Sequence, residues 1–438
     1  MELAKCRREF ARYASLNVMG MVGLSCYILA DTYFVSAGLG TNGLAALNLA
    51  IPVYNLIHGC GLMLGMGGAT RYSILKNGGD GSESRGVFTH TVLMGMAFML
   101  VFVLAGVFGA STIASVLGAE GEIFGMTRTY LQVLLIGAPA FMMNDILICF
   151  VRNDSAPQLS MAAMLSGSFS NILLDYIFIF PFGLGIFGAV IATVMSACIS
   201  ILVVSSHLFR RRNSFHLCRC GWDWKMAGTM IGCGLPSFAA ELSAGVVMVV
   251  WNMILLGLGG NVAVAAYGVI ANLSLVVLAI YTGIAQGIQP LVSKYYATGK
   301  ADKRNAIFRY AVLTVMVLSV AVYLLLGVFA DPVAMIFNSE RDMQLQQIAV
   351  QGIRMYFTGA FFAGLNILLA TNFAASDQPA PANLMSLMRG FAVVIPMAFI
   401  MSWLWGMNGL WLSFTVSEGI TAAVGLFIWL RGRKKHHG

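Results

Sequence analysis

Five acids stand inside long apolar runs: Asp31, Asp145, Asp175, Glu241 and Glu418. The stretch "CYILADTYFVSAG", residues 26–38, shows the problem, because its one Asp has no Lys or Arg beside it. An ionised acid at the centre of a helix in lipid costs roughly 2.5–3.5 kcal/mol. The runs hold no Lys or Arg deep within them, so the counter-charge is expected from outside: H+, Na+ or a cationic substrate. A protonated carboxyl escapes most of the cost. Tyr27 lies four residues before Asp31, and Asn171 four before Asp175. Residues so spaced share a helix face. Each pair sets a carboxylate beside a neutral hydrogen-bonding group, able to hold a proton or give oxygens to Na+, and Thr193 adds a hydroxyl. Glu241 follows the Gly-Leu-Pro break at 234–236 and joins Asp145 and Glu418 as a secondary coupling or substrate candidate. The competing use of a lone membrane acid is a structural hydrogen bond between helices. For Asp145, close to Arg152, that use weighs as much as function.

Those acids need helices to hold them. The chain has 438 residues, 59% hydrophobic and only 10% charged, where soluble domains carry about 25% charged residues. Its apolar runs reach about 20 residues, enough to cross a bilayer as helices. Open strands cannot, since their backbone groups would go unsatisfied. Twelve spans are expected, near 14–36, 44–70, 87–110, 127–150, 160–181, 186–208, 230–256, 262–290, 308–330, 350–373, 385–405 and 408–430. The first is too long for a cleaved signal and lacks its cleavage site. With this alternation, all 26 Lys and Arg except Arg128, Arg341 and Arg354 fall on one side. The positive-inside rule then puts both termini in the cytoplasm. The net charge of +8 is thus a topology signal with some attraction to anionic lipid, not a nucleic-acid footprint. The eight Cys read as reduced thiols, and "HLCRC" at 216–220 lacks the spacing and fourth ligand of a metal site. The 27 Met read as flexible packing before drug-binding surface.

The halves repeat. Ala45, Gly67, Ser73 and Gly79 match Ala265, Gly287, Ser293 and Gly299 at a shift of 220. Asn144 and Pro157 match Asn366 and Pro379 at 222, and Gly185 and Gly188 match Gly406 and Gly409 at 221. Six helices per half make this a parallel repeat, the build of transporters with a cavity between two lobes. The expected division is an N-lobe at 1–208, a cytoplasmic linker at 209–225 and a C-lobe at 226–438.

On "ADTYFVSAGLGTNGLAAL" and "GIAQGIQPLVSKYYATGK", and on the acids above, the chain resembles the multidrug and toxic compound extrusion (MATE) family, in particular its DinF-like branch. The resemblance covers nearly the whole chain. It implies an all-α integral membrane protein whose N-lobe binds the coupling cation through Tyr27, Asp31, Asn171, Asp175 and Thr193. It further implies a monomer in the plasma membrane of a bacterium or archaeon. That protein would export small organic cations against H+ or Na+ by alternating access, with no other cofactor. Glu241 resembles a helix-7 acid of another branch, but that branch's helix-10 acid is missing from 350–373. Many relatives carry a Pro early in helix 1. The repeat maps Pro236 onto Leu16, so no proline-driven bend is expected there. The alternative is a lipid-linked saccharide flippase, whose anionic cargo would call for basic cavity residues. An intramembrane enzyme is disfavoured, since no H-E-x-x-H motif or Ser–His pair is apparent and the His lie mostly near ends and loops.

Overall fold

The computed structural model describes residues 2–79, 81–338 and 342–435, with side chains over 5–79, 84–338 and 342–431. Arg341 lies outside the described residues. Among those residues the chain is helical, without strands. Its helices are α1 (Glu2–Gly78), α2 (Gly81–Leu104), α3 (Ala110–Val116), α4 (Gly121–Ile136), α5 (Ala138–Asn153), α6 (Pro157–Ile179) and α7 (Gly185–Phe209). They continue with α8 (Trp224–Ala297), α9 (Ala301–Val328), α10 (Ala330–Phe337), α11 (Met343–Tyr356), α12 (Ala360–Ala375), α13 (Pro379–Leu387) and α14 (Val394–Lys435).

Among the described residues, eight helical stretches are long and apolar enough to cross a membrane, and the pair α4–α5, bent by 47°, makes a ninth. Three of these are double. α1 is cut at Gly40 (φ 65°), α8 at Gly260 (φ 64°) and α14 at Gly406 (φ 58°). Only glycine takes such left-handed dihedrals without strain. The segmentation is consistent with the twelve expected crossings. The break in α1 falls at Gly40, far from Leu16, which lies in regular helix.

The repeat is written into the backbone. Gly40 and Gly260 share φ and ψ within a degree or so and stand 220 positions apart. Ser155 (φ 69°) and Asp377 (φ 56°) are left-handed although neither is glycine. Each precedes a residue outside the helical region, Ala156 (φ −116°, ψ 54°) or Gln378 (φ −119°, ψ 72°), and then a Pro that opens the next helix. Proline drives the residue before it out of the helical region and suits the first helical turn. Both halves therefore turn the same corner by the same device.

By packing, the chain divides into two compact units. One comprises Ser15–Leu242 and Ser293–Lys300, the other Met1–Ala14, Ser243–Val292 and Ala301–Gly438. Along the chain this division falls inside α8 and near the ends of α1 and α8. In the first unit, the expected linker is docked. Phe215 is fully buried, with its ring 4.8 Å from that of Phe88 and 5.4 Å from that of Phe150. Ser214 N–H donates to Asp154 Oδ2 at 2.8 Å, and Asp223 N–H donates to His90 Nε2 at 3.0 Å. In "HLCRC", Cys218 Sγ donates to Arg85 O at 3.2 Å. The second unit holds a buried aromatic cluster in which the Trp251 ring lies 5.3 Å from Tyr267, 5.7 Å from Tyr356 and 6.0 Å from Trp411.

Candidate cation-binding site

The first unit gathers all five N-lobe residues. α1 approaches α6 closely because Gly20 and Gly23 face it: a Cβ on Gly23 would come within 2.6 Å of Leu165, and one on Gly20 within 2.8 Å of Met164. That approach brings the carboxyl of Asp31 on α1 against that of Asp175 on α6. Asp175 is fully buried and Asp31 nearly so. Asn171 Nδ2 donates to Thr193 Oγ1 of α7 at 3.3 Å, and Thr193 donates onward to Ala189 O at 3.1 Å. Four buried oxygens are left without a hydrogen-bond partner: Asp31 Oδ1, both carboxylate oxygens of Asp175, and Asn171 Oδ1. Two facing carboxyls cannot both carry charge unless a proton or cation lies between them. The donor set, all oxygen, suits either H+ or a hard cation such as Na+.

Tyr27 turns aside from Asp31. Its hydroxyl pairs with that of Tyr54, also on α1, at 2.8 Å. Tyr130 of α4 completes the wall, interacting with Thr193 and with the field of Asp31 and Asp175.

A second cluster lies in the same unit. His58 Nδ1 of α1 is 2.9 Å from Asp145 Oδ2 of α5. The contact is close but not a well-directed hydrogen bond, since that oxygen has no well-aligned donor. Glu241 of α8 faces both. Tyr54 stacks on His58, ring centroids 5.8 Å apart and planes within 12°. Glycines bring the three helices together. A Cβ on Gly61 would stand 2.6 Å from Asp145 Oδ2, and one on Gly59 3.3 Å from Glu241 Cβ. The bend between α4 and α5 lets a single span give Tyr130 to the first cluster and Asp145 to the second.

Asp145 contacts His58, while Arg152 Nη1 donates to Asn17 Oδ1 at 2.8 Å. One expectation fails here: the acids are not all without a base. In the second unit, Arg389 Nη2 donates to Glu418 Oε1 at 3.0 Å, and Asn366 Nδ2 to Glu418 Oε2 at 2.6 Å. Arg389, expected on the basic side of the membrane, instead turns its guanidinium onto the buried carboxylate of Glu418. Sequence reasoning passed over Tyr54, His58 and Tyr130. The signal for His58 was a lone His inside the run 44–70, four residues after a Tyr.

The MatE family model matches residues 18–177 and 236–400. The multidrug export protein MepA of Staphylococcus saprophyticus is 28% identical over 404 residues, spanning 92% of this chain and 88% of its own length. A crystal structure of MATE in complex with MaL6 superposes with a TM-score of 0.92 at 24% identity, covering 98% of this chain and 96% of that one. An outward-facing multidrug resistance MATE family transporter of the MOP superfamily gives 0.91 at 23%, with the same coverage.

Proposed function

The chain belongs to the MatE family, and we propose that it is a secondary multidrug exporter that expels small organic cations in exchange for H+ or Na+. The observation that carries this reading is the group of four partnerless buried oxygens where Asp31 meets Asp175. Those oxygens favour an arrangement with a cation among them. Entry of the coupling cation stabilises one arrangement of the protein, and the exported cation stabilises the other. Exchange follows from that difference in affinity. The matching N-lobe positions favour the DinF-like branch. The working unit is a monomer in two lobes, 1–208 and 226–438, with 209–225 between them. It sits in the plasma membrane of a bacterium or archaeon, termini in the cytoplasm, in contact with membrane lipids.

The test is ethidium uptake into proteoliposomes under separately imposed H+ and Na+ gradients. Uptake driven by one of them, and lost in Asp31→Asn, supports the reading. Uptake indifferent to both gradients, or intact in Asp31→Asn, overturns it. Transport of a lipid-linked saccharide without ion dependence would select the flippase instead.

A further inference from the structure

The His58 cluster has no part in the exchange just described, yet it has the composition of a titrating site. Histidine is the side chain whose charge ordinarily changes near neutral pH, around 6.5. His58 stands in an ion pair with Asp145 at 2.9 Å, and its remaining charged neighbour is Glu241. On its own helix the facing titratable group is Tyr54, stacked on the ring. The Tyr54 hydroxyl bonds that of Tyr27 at 2.8 Å, and Tyr27 lies one helical turn from Asp31. Gly61 makes room for the buried Asp145 Oδ2, on which any side chain there would press. These contacts lead from the His58 cluster to Tyr27, which lies in the field of Asp31, within a single unit.

Resting on the exchange reading above, we propose that the His58–Asp145 pair is a second proton-exchange centre, loaded and emptied in step with the Asp31–Asp175 pair. In the loaded state the imidazolium offsets Asp145, and Glu241 supplies the remaining negative charge. In the emptied state the imidazole has given its proton to water, and Asp145 and Glu241 face a neutral ring. The charge change acts on Asp31 through the field across the Tyr54–Tyr27 pair. A lipophilic cation is then favoured by the emptied state of both centres, so its binding expels protons from two places.

The experiment counts protons released when purified full-length protein in weakly buffered detergent solution is saturated with ethidium, as a function of pH. The wild type is expected to show two separable portions. Asp31→Asn removes one. His58→Gln removes the other and leaves the Asp31-dependent portion in place. Release by His58→Gln equal to wild type at every pH overturns the proposal. So does an equal fractional loss at every pH, which marks a purely structural role. Should His58→Gln not be monodisperse, Asp145→Asn must delete the same portion, and its retention there overturns the proposal equally. If Asp31→Asn releases as wild type while His58→Gln does not, the exchange reading fails and the second centre stands.

Discussion

Asp31 meets Asp175 carboxyl to carboxyl, while Glu418 meets Arg389 at 3.0 Å. The same side-chain chemistry is therefore set two ways in one chain. The first pair lacks a counter-charge and the second carries its own. That contrast separates the acids by role.

Replacing Asp175 by Asn keeps the shape of the site and removes half its charge. Affinity for the coupling cation should fall about 100-fold, or ~2.8 kcal/mol. Ethidium uptake under the driving gradient should fall to background. Isothermal titration with Na+, or pH-jump fluorescence, measures the first quantity, and flux into proteoliposomes the second.

Glu418 should behave as a structural acid. Arg389→Met leaves its carboxylate buried and bonded only to Asn366. Breaking a buried pair from one side costs about 3–5 kcal/mol. A lower melting temperature is expected, with the ion dependence of the remaining transport unchanged. A shifted ion dependence would return Glu418 to the coupling candidates.

Asp154, at the end of α5, gives a pH dependence. Burial works against its ionised form, but Lys76 Nζ at 2.6 Å, the Ser214 N–H at 2.8 Å and His207 at 3.1 Å outweigh burial and hold its carboxyl below the usual range. A depressed acid contributes stability that is complete above its unfolded value, about 3.9. That stability is lost as pH falls through the folded value. Asp154→Asn should flatten the acid side of the melting-temperature profile and open residues 209–225 to proteolysis.

Gly40→Ala and Gly260→Ala test the repeat. Nothing lies within 4 Å of a Cβ at either site, so the cost is conformational, not steric. Each should destabilise by roughly 1–2 kcal/mol, and by similar amounts, because the dihedrals agree. Thermal unfolding in detergent reads both.

Much of the fold was legible because lipid demands long apolar runs, and because turns need Gly and Pro at fixed places. Pro157 and Pro379 announced two matching corners, and the structure adds the left-handed Ser155 and Asp377 that no residue type advertised. Asp31, Asn171, Asp175 and Thr193 were legible as types at helical spacing. Tyr27 was placed on the right helix, but its bond to Tyr54 depends on the turn of α1 past Gly40. Arg389 and Glu418 stand 29 positions apart on separate helices, so no local spacing could join them. His58 and Asp145 meet only because Gly61 lets α5 lie against α1.

The duplicated corners have one more consequence. The position that repeats Asp31 at a shift of 220 is Trp251, buried beside Tyr267 and Trp411. One frame was thus furnished twice, once with a carboxylate and once with an indole. The indole cannot change charge with pH, so at this level only the first copy of the frame carries a group that can take up or lose a proton.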